Sequence, residues 1–318
     1  MLFVTFHGGN PDKHPLRNNV HAYDKDGKLI TRSILEDKEG VILNELRGIH
    51  FDRDYLYVAN ANRTQNSVLC YQGSGTSYRF VSKFVSHECT PGVLHPFDFS
   101  FDTAGYCYLS SQDTNLVSRF ALTDGGKHGE PAPVPASLPA HGKYLPGTFV
   151  ASSVGSLSDP PTTPVPVPLG LEYSSEGAKK HSVRGVLWTN DALYVVDQPA
   201  SKVKVYSHIG KLVGQSNIVD QPVHLTAHED TLYVSGGNEV YRAKLSKPAG
   251  DLILAPIAGL HVKNGGGMAF SDSGHVYIAS RTENVIHKYD SSFKPMPFPC
   301  ELPDNTEFNP EFLLHLER

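Results

Sequence analysis

An apolar residue, an aromatic and then a β-branched residue or leucine recur along the chain as Leu56-Tyr57-Val58, Cys107-Tyr108-Leu109, Leu193-Tyr194-Val195, Leu232-Tyr233-Val234 and Val276-Tyr277-Ile278. Leu2-Phe3-Val4 opens the series. A second apolar phrase follows each of these, as in Val20-His21-Ala22-Tyr23, Val68-Leu69-Cys70-Tyr71, Val203-Lys204-Val205-Tyr206 and Ile286-His287-Lys288-Tyr289. Turn-rich residues such as Asn60-Ala61-Asn62 or Gly236-Gly237-Asn238 lie between the two. That order predicts a strand, a loop and an antiparallel return strand. A short run upstream of each aromatic phrase, such as Arg47-Gly48-Ile49-His50-Phe51 or Pro222-Val223-His224-Leu225, supplies a further strand. Its period of two fits a strand packed between neighbours.

Successive central aromatics, Phe3, Tyr57, Tyr108, Tyr194, Tyr233 and Tyr277, stand 54, 51, 86, 39 and 44 residues apart. Most of these steps match one four-stranded blade of roughly 40 to 50 residues. The prediction is an all-β, six-bladed β-propeller spanning 1–318 as one domain. The N-terminus opens on a second-strand phrase, and Asn309-Pro310-Glu311-Phe312-Leu313-Leu314 offers the missing first strand. Pairing the two ends within one blade closes the ring and removes exposed sheet edges. The step of 86 holds Pro131-Ala132-Pro133-Val134-Pro135 and the run from Pro160 to Pro168. Proline lacks the donor that a central strand needs, so 124–182 reads as a proline-rich insertion between the third and fourth blades, with a degenerate seventh blade as the alternative.

Composition narrows the partners. The chain carries 28 basic and 33 acidic residues for a net charge of -5, which offers no cationic surface to nucleic acid. Cys70, Cys89, Cys107 and Cys300 form no CxxC pair, so they read as reduced thiols rather than a zinc ribbon or redox motif. Neither a secretory leader pattern nor an apolar run of about 18 residues is present, so a soluble, cytoplasmic protein away from membranes is the expectation.

The sequence Arg47-Gly48-Ile49-His50-Phe51-Asp52, then Leu56-Tyr57-Val58-Ala59-Asn60, then Val68-Leu69-Cys70-Tyr71 resembles an NHL-type repeat, and 183–206 and 264–289 repeat it. NHL-like six-bladed propellers include binding modules, lactonases, amidating lyases and strictosidine-synthase-like enzymes, so the resemblance speaks for fold before function. Similarity to the gluconolactonase group would imply a central metal held by Glu, Asn and Asp, for which Glu311, Asp98, Asn264 and Asn309 are placed near first strands. Similarity to the amidating lyases would imply a channel zinc held by histidines, for which His95 and His224 stand near the starts of two first strands.

Loops between blades converge on one face of a propeller, so residues distant in sequence meet at the channel mouth. His7-Gly8-Gly9-Asn10-Pro11-Asp12-Lys13-His14 enlarges the first blade's loop and offers histidines beside flexible backbone. Arg47 and Arg184 each precede a glycine, which suits them either to a bidentate hold on an anion or to ion pairs with neighbouring blades. His7, His95, His224, Arg47 and Arg184 are therefore the candidate catalytic residues, with His7, His95 and His224 as candidate ligands of a divalent metal, zinc or calcium. The expected function is a hydrolase or lyase acting on a small molecule. The alternative is a non-catalytic propeller that binds a peptide or protein, through the mouth or through the proline-rich insertion.

Overall fold

The computed structural model describes residues 1–7, 18–140, 144–152, 170–172, 182–300, 302 and 309–317. They form six antiparallel sheets arranged as the blades of a propeller. From the channel outward, blade two runs Leu46–Asp52, Tyr55–Asn60, Ser67–Ser74 and Ser77–Ser86. Blades four, five and six repeat this order with inner strands Val183–Thr189, Pro222–His228 and Gly265–Phe270. Blade one is built from both ends of the chain: its inner strand Asn309–His315 pairs with Leu2–His7, followed by His21–Tyr23 and Leu29–Thr31. Leu2 faces His315 and Val4 faces Leu313 across that seam. The Met1 ammonium donates to Leu316 O at 2.8 Å.

The recurring phrase is explained by which blade each of its residues touches. Tyr57 packs in the cluster between blades two and three with Phe84 and Phe99, while Leu56 and Val58 pack on the other side, against Phe3 and Leu35 of the first blade and its connection to the second. The same division holds for Tyr108, Tyr194, Tyr233, Tyr277 and Phe3, each reaching the following blade while its aliphatic flanks reach the preceding one. Both faces of this strand are buried, so apolar residues fill consecutive positions rather than alternating with polar ones. At about 25 cal/mol per Å² of apolar surface, these six interfaces dominate the stability of the ring.

Blade three departs from the others. Its inner strands Pro96–Phe101, Tyr106–Ser111 and Leu116–Thr123 are followed by His128–Pro131, and Thr148–Ala151 adds to the same third strand further along. The outer strand of blade three thus lies inside the stretch 124–182. Pro131 ends that strand, and Ala132 still donates to Arg119 O at 2.9 Å. Residues 170–172 are fastened to blade four. Asp197 Oδ2 accepts from Glu172 N at 2.9 Å and forms a buried ion pair with Lys204 Nζ at 2.7 Å. The second proline run, 160–168, falls outside the described residues, and the six sheets leave no seventh blade among the described ones.

Candidate functional site

Every inner strand breaks register with its neighbour at the same place. Leu46 pairs with Asn60 and Ile49 with Val58, so Arg47 and Gly48 together oppose Ala59. The same two-against-one arrangement occurs at Phe97-Asp98, Arg184-Gly185, Val223-His224, Gly266-Gly267 and Glu311-Phe312. A β-bulge re-aims the side chains it carries. Here the bulge residues form two tiers, one toward the mouth and one below it.

The upper tier is charged. Arg47 Nη1 donates to Glu311 Oε1 at 2.7 Å, and Arg281 Nε lies 2.9 Å from Glu311 Oε2. Arg47 and Arg184 both lie over the ring of Phe97, at 5.5 and 5.2 Å from its centroid. Arg184 Nε donates to Gln198 Oε1 at 2.9 Å, a neutral acceptor. Burial, followed by the nearby Arg47 and Arg281 charges, pulls the Arg184 guanidinium down to about 9. Burial likewise lowers Arg47, opposed mainly by Glu311. Arg47 and Arg281 thus share one buried carboxylate while Arg184 stands beside them over the Phe97 ring, a group of cations suited to an incoming anion.

His95 stands at the rim of this tier, in the residue before an inner strand. Its Nε2 is 3.3 Å from Arg47 Nη2 and 3.5 Å from Glu45 Oε2, and its Nδ1 is 3.4 Å from Asp113 Oδ1. His95 has a left-handed φ of 51°, as do Glu45 at 50°, Gln221 at 38° and Asn264 at 50° before three other inner strands. The conformation belongs to the repeat. What is particular to His95 is the imidazole held between two carboxylates and an arginine.

The lower tier alternates around the ring. Gly48, Gly185 and Gly267 of blades two, four and six come against the backbone of the next inner strand. A Cβ on Gly267 would meet Phe312 Cα at 2.6 Å, and one on Gly185 would meet Leu225 N at 3.0 Å. The intervening blades supply Asp98, His224 and Phe312, so three side chains fill a layer that six could not enter, much as alternate strands fill barrel interiors. Asp98 Oδ1 accepts from His50 Nε2 at 3.1 Å and from Phe99 N at 2.9 Å, and Oδ2 accepts from Val186 N at 3.2 Å. His224 Nδ1 lies 3.8 Å from Asp98 Oδ2, and its ring meets Phe312 edge-on at 5.1 Å. Burial lowers the His224 pKa, with Asp98 opposing.

The sequence-derived candidates therefore divide. Arg47, Arg184 and His95 share the upper tier, with Glu311 and Arg281 joining them. His224 does not stand beside His95: it is three register positions further along its strand, in the lower tier. His7 ends the strand Leu2–His7 opposite Asn309, and its side chain, like the loop 8–17, lies outside the described residues. Among the described residues no three His, Cys, Asp or Glu side chains come together as a metal-binding set. The donors also fit poorly, since the Arg47 cation lies against His95 Nε2 and His224 is buried against Asp98 and Phe312. His50 was missed because it reads as an ordinary alternating position of its strand.

Neither a protein-family model nor a curated protein sequence matches the chain. Solved structures do. A chain of the nidogen/laminin complex aligns over 99% of this chain and 98% of its own length, with a TM-score of 0.59 and 10% identity. A protein from Lactobacillus plantarum aligns over 93% of this chain and 80% of its own, with a TM-score of 0.56 and 13% identity. A "putative 6-phosphogluconolactonase" from Bacteroides uniformis ATCC 8492 covers the same shares, with a TM-score of 0.56 and 11% identity. The chain has the propeller fold. At these identities the likeness extends to fold alone. Among the described residues no helix is long and apolar enough to cross a membrane.

Proposed function

We propose that this propeller is a small-molecule hydrolase or lyase that takes an anionic substrate at the channel mouth. The observation that carries the reading is the pairing of Arg47 and Arg281 with one buried carboxylate, with Arg184 beside them over the Phe97 ring it shares with Arg47 and His95 3.3 Å from Arg47. Arg184 binds the carboxylate or phosphate of the substrate and is relieved of like-charge crowding as it does so. His95 acts as acid and base. It removes a proton from the substrate carbon in an elimination, or from water in a hydrolysis, and returns it to the leaving group. Asp113 and Glu45 orient the imidazole. No step runs through a metal. A neighbour described as a "putative 6-phosphogluconolactonase" is compatible with the hydrolytic form.

Inorganic phosphate is the first probe. It should raise Tm saturably in the wild type and not in Arg184→Gln. Turnover of a panel of anionic lactones and β-substituted carboxylates, followed by proton NMR, should fall at least about 100-fold in His95→Ala while phosphate still binds. Activity that survives His95→Ala would sink the reading.

A second reading has its own observation. A cleft of about 600 Å³ between blades three and four is walled by Tyr106, Trp188 and the segment from Pro133 to Ser137. Trp188 stacks on Tyr108 at 5.1 Å with the rings within 5° of parallel. Such aromatic grooves receive extended peptides. Trp188 is the chain's one tryptophan, so its fluorescence would report titration with proline-rich peptides directly. Saturable quenching without any turnover at the mouth would favour a binding protein.

A further inference from the structure

The channel has a second end. Beyond the lower tier it widens into a cavity of about 300 Å³ bounded by His50, Thr226, Phe270, Phe312 and their neighbours. We propose that this cavity is a separate binding site for a small, neutral, hydroxyl-bearing aromatic molecule, with the hydroxyl donating to His50 Nδ1.

The acceptor is built by the lower tier. Asp98 is fully buried and carries no solvent. It takes the Nε2 proton of His50, which fixes the tautomer and leaves the lone pair on Nδ1. Among the described residues Nδ1 has no hydrogen-bond partner, while His50 itself is partly exposed in the cavity wall. The carboxylate is already committed to His50 and two backbone amides, so it does not call for a cationic guest. Among the described residues no Lys, Arg, Asp or Glu is part of the cavity wall, which disfavours charged guests of either sign. The walls mix aromatic rings with imidazoles: Phe270 lies parallel to His228 at 4.5 Å, Phe312 is edge-on to His224, and His315 completes the lining. A volume of about 300 Å³ lies at the small end of ligand sites, enough for one ring and its substituent.

Phenol is the probe, titrated into the full chain labelled at histidine ring nitrogens. The His50 Nδ1 resonance should move saturably on addition of phenol. Thr226→Phe, which fills the cavity, and Asp98→Asn, which lets an amide donate to Nε2 and moves the ring proton to Nδ1, should each weaken binding at least about tenfold. Circular dichroism separates this from unfolding, and Thr226→Phe keeps the test open should Asp98→Asn fail to fold. Arg184→Gln should bind phenol as the wild type does, which separates this site from the mouth. Benzoate should bind at least about tenfold less than phenol. Absence of a saturable shift, equal binding by Thr226→Phe, or equal binding of benzoate overturns the assignment.

Discussion

Arg47 and Glu311 lie 264 residues apart in sequence, yet their side chains meet at 2.7 Å with only 2% and 1% of their surface exposed. The pair joins blade two to the inner strand of blade one, and Arg281 of blade six approaches the same carboxylate at 2.9 Å. Glu311 therefore ties together three blades at the seam and shapes the charged mouth.

Removing one partner of a buried ion pair strands the other. Glu311→Gln should cost about 3–5 kcal/mol, read from the midpoint of chemical unfolding, because the buried Arg47 guanidinium and the partly buried Arg281 lose their counter-charge. The double substitution Arg47→Met with Glu311→Leu should cost less than Glu311→Gln alone, since no fully buried charge is then left unpaired and only the partly exposed Arg281 loses its partner.

Lys204 and Asp197 make the corresponding pair in blade four. Lys204→Met should lower stability by a similar amount, again about 3–5 kcal/mol, and loosen the hold on residues 170–172 because Asp197 is what receives the Glu172 amide. A loss within about 0.5 kcal/mol would show that Asp197 is accommodated without its lysine.

The glycines of the lower tier are not interchangeable with those of the outer connections. Gly267→Ala brings a Cβ to 2.6 Å from the Phe312 backbone and should destabilise by about 1–3 kcal/mol, whereas Gly250→Ala meets nothing within 4 Å and should leave Tm nearly unchanged.

The seam should be sensitive to acid. Burial, aided by the N-terminal ammonium, pushes His315 down to about 4 from 6.5, and burial lowers His224 as well. Between pH about 6.5 and about 4 the unfolded chain binds protons that the folded chain refuses, so stability falls as pH falls through that window. His315 stacks on Tyr277 at 5.6 Å. His315→Phe keeps a ring there and should flatten the dependence; thermal melts across the window read the difference.

Blade number, ring closure and the aromatic phrase were legible because each strand of the phrase buries both faces, which leaves a dense apolar signature at Tyr57, Tyr108 and their equivalents. The tiers were not. A bulge inserts one residue against the partner strand, so counting by twos along Arg47-Gly48-Ile49 assigns faces wrongly from the point where it occurs. His95 and His224 looked equivalent for that reason, although one precedes its strand and the other sits inside the bulge. The Arg-Gly pairs at 47 and 184 were readable because the glycine marks the bulge itself. Asp98 with His50 was invisible, since the two lie on different blades and nothing in either strand's pattern announces the other.

Because blade one draws on both ends of the chain, its timing during synthesis is unusual. A ribosome has delivered blades two to six before the codons for Asn309–His315 are read, and until then Leu2–His7 has no inner neighbour. Glu311 and Phe312 arrive in the same seven residues. The nascent protein therefore has neither a complete mouth nor a walled lower cavity until that strand emerges, and both channel ends become competent in one step.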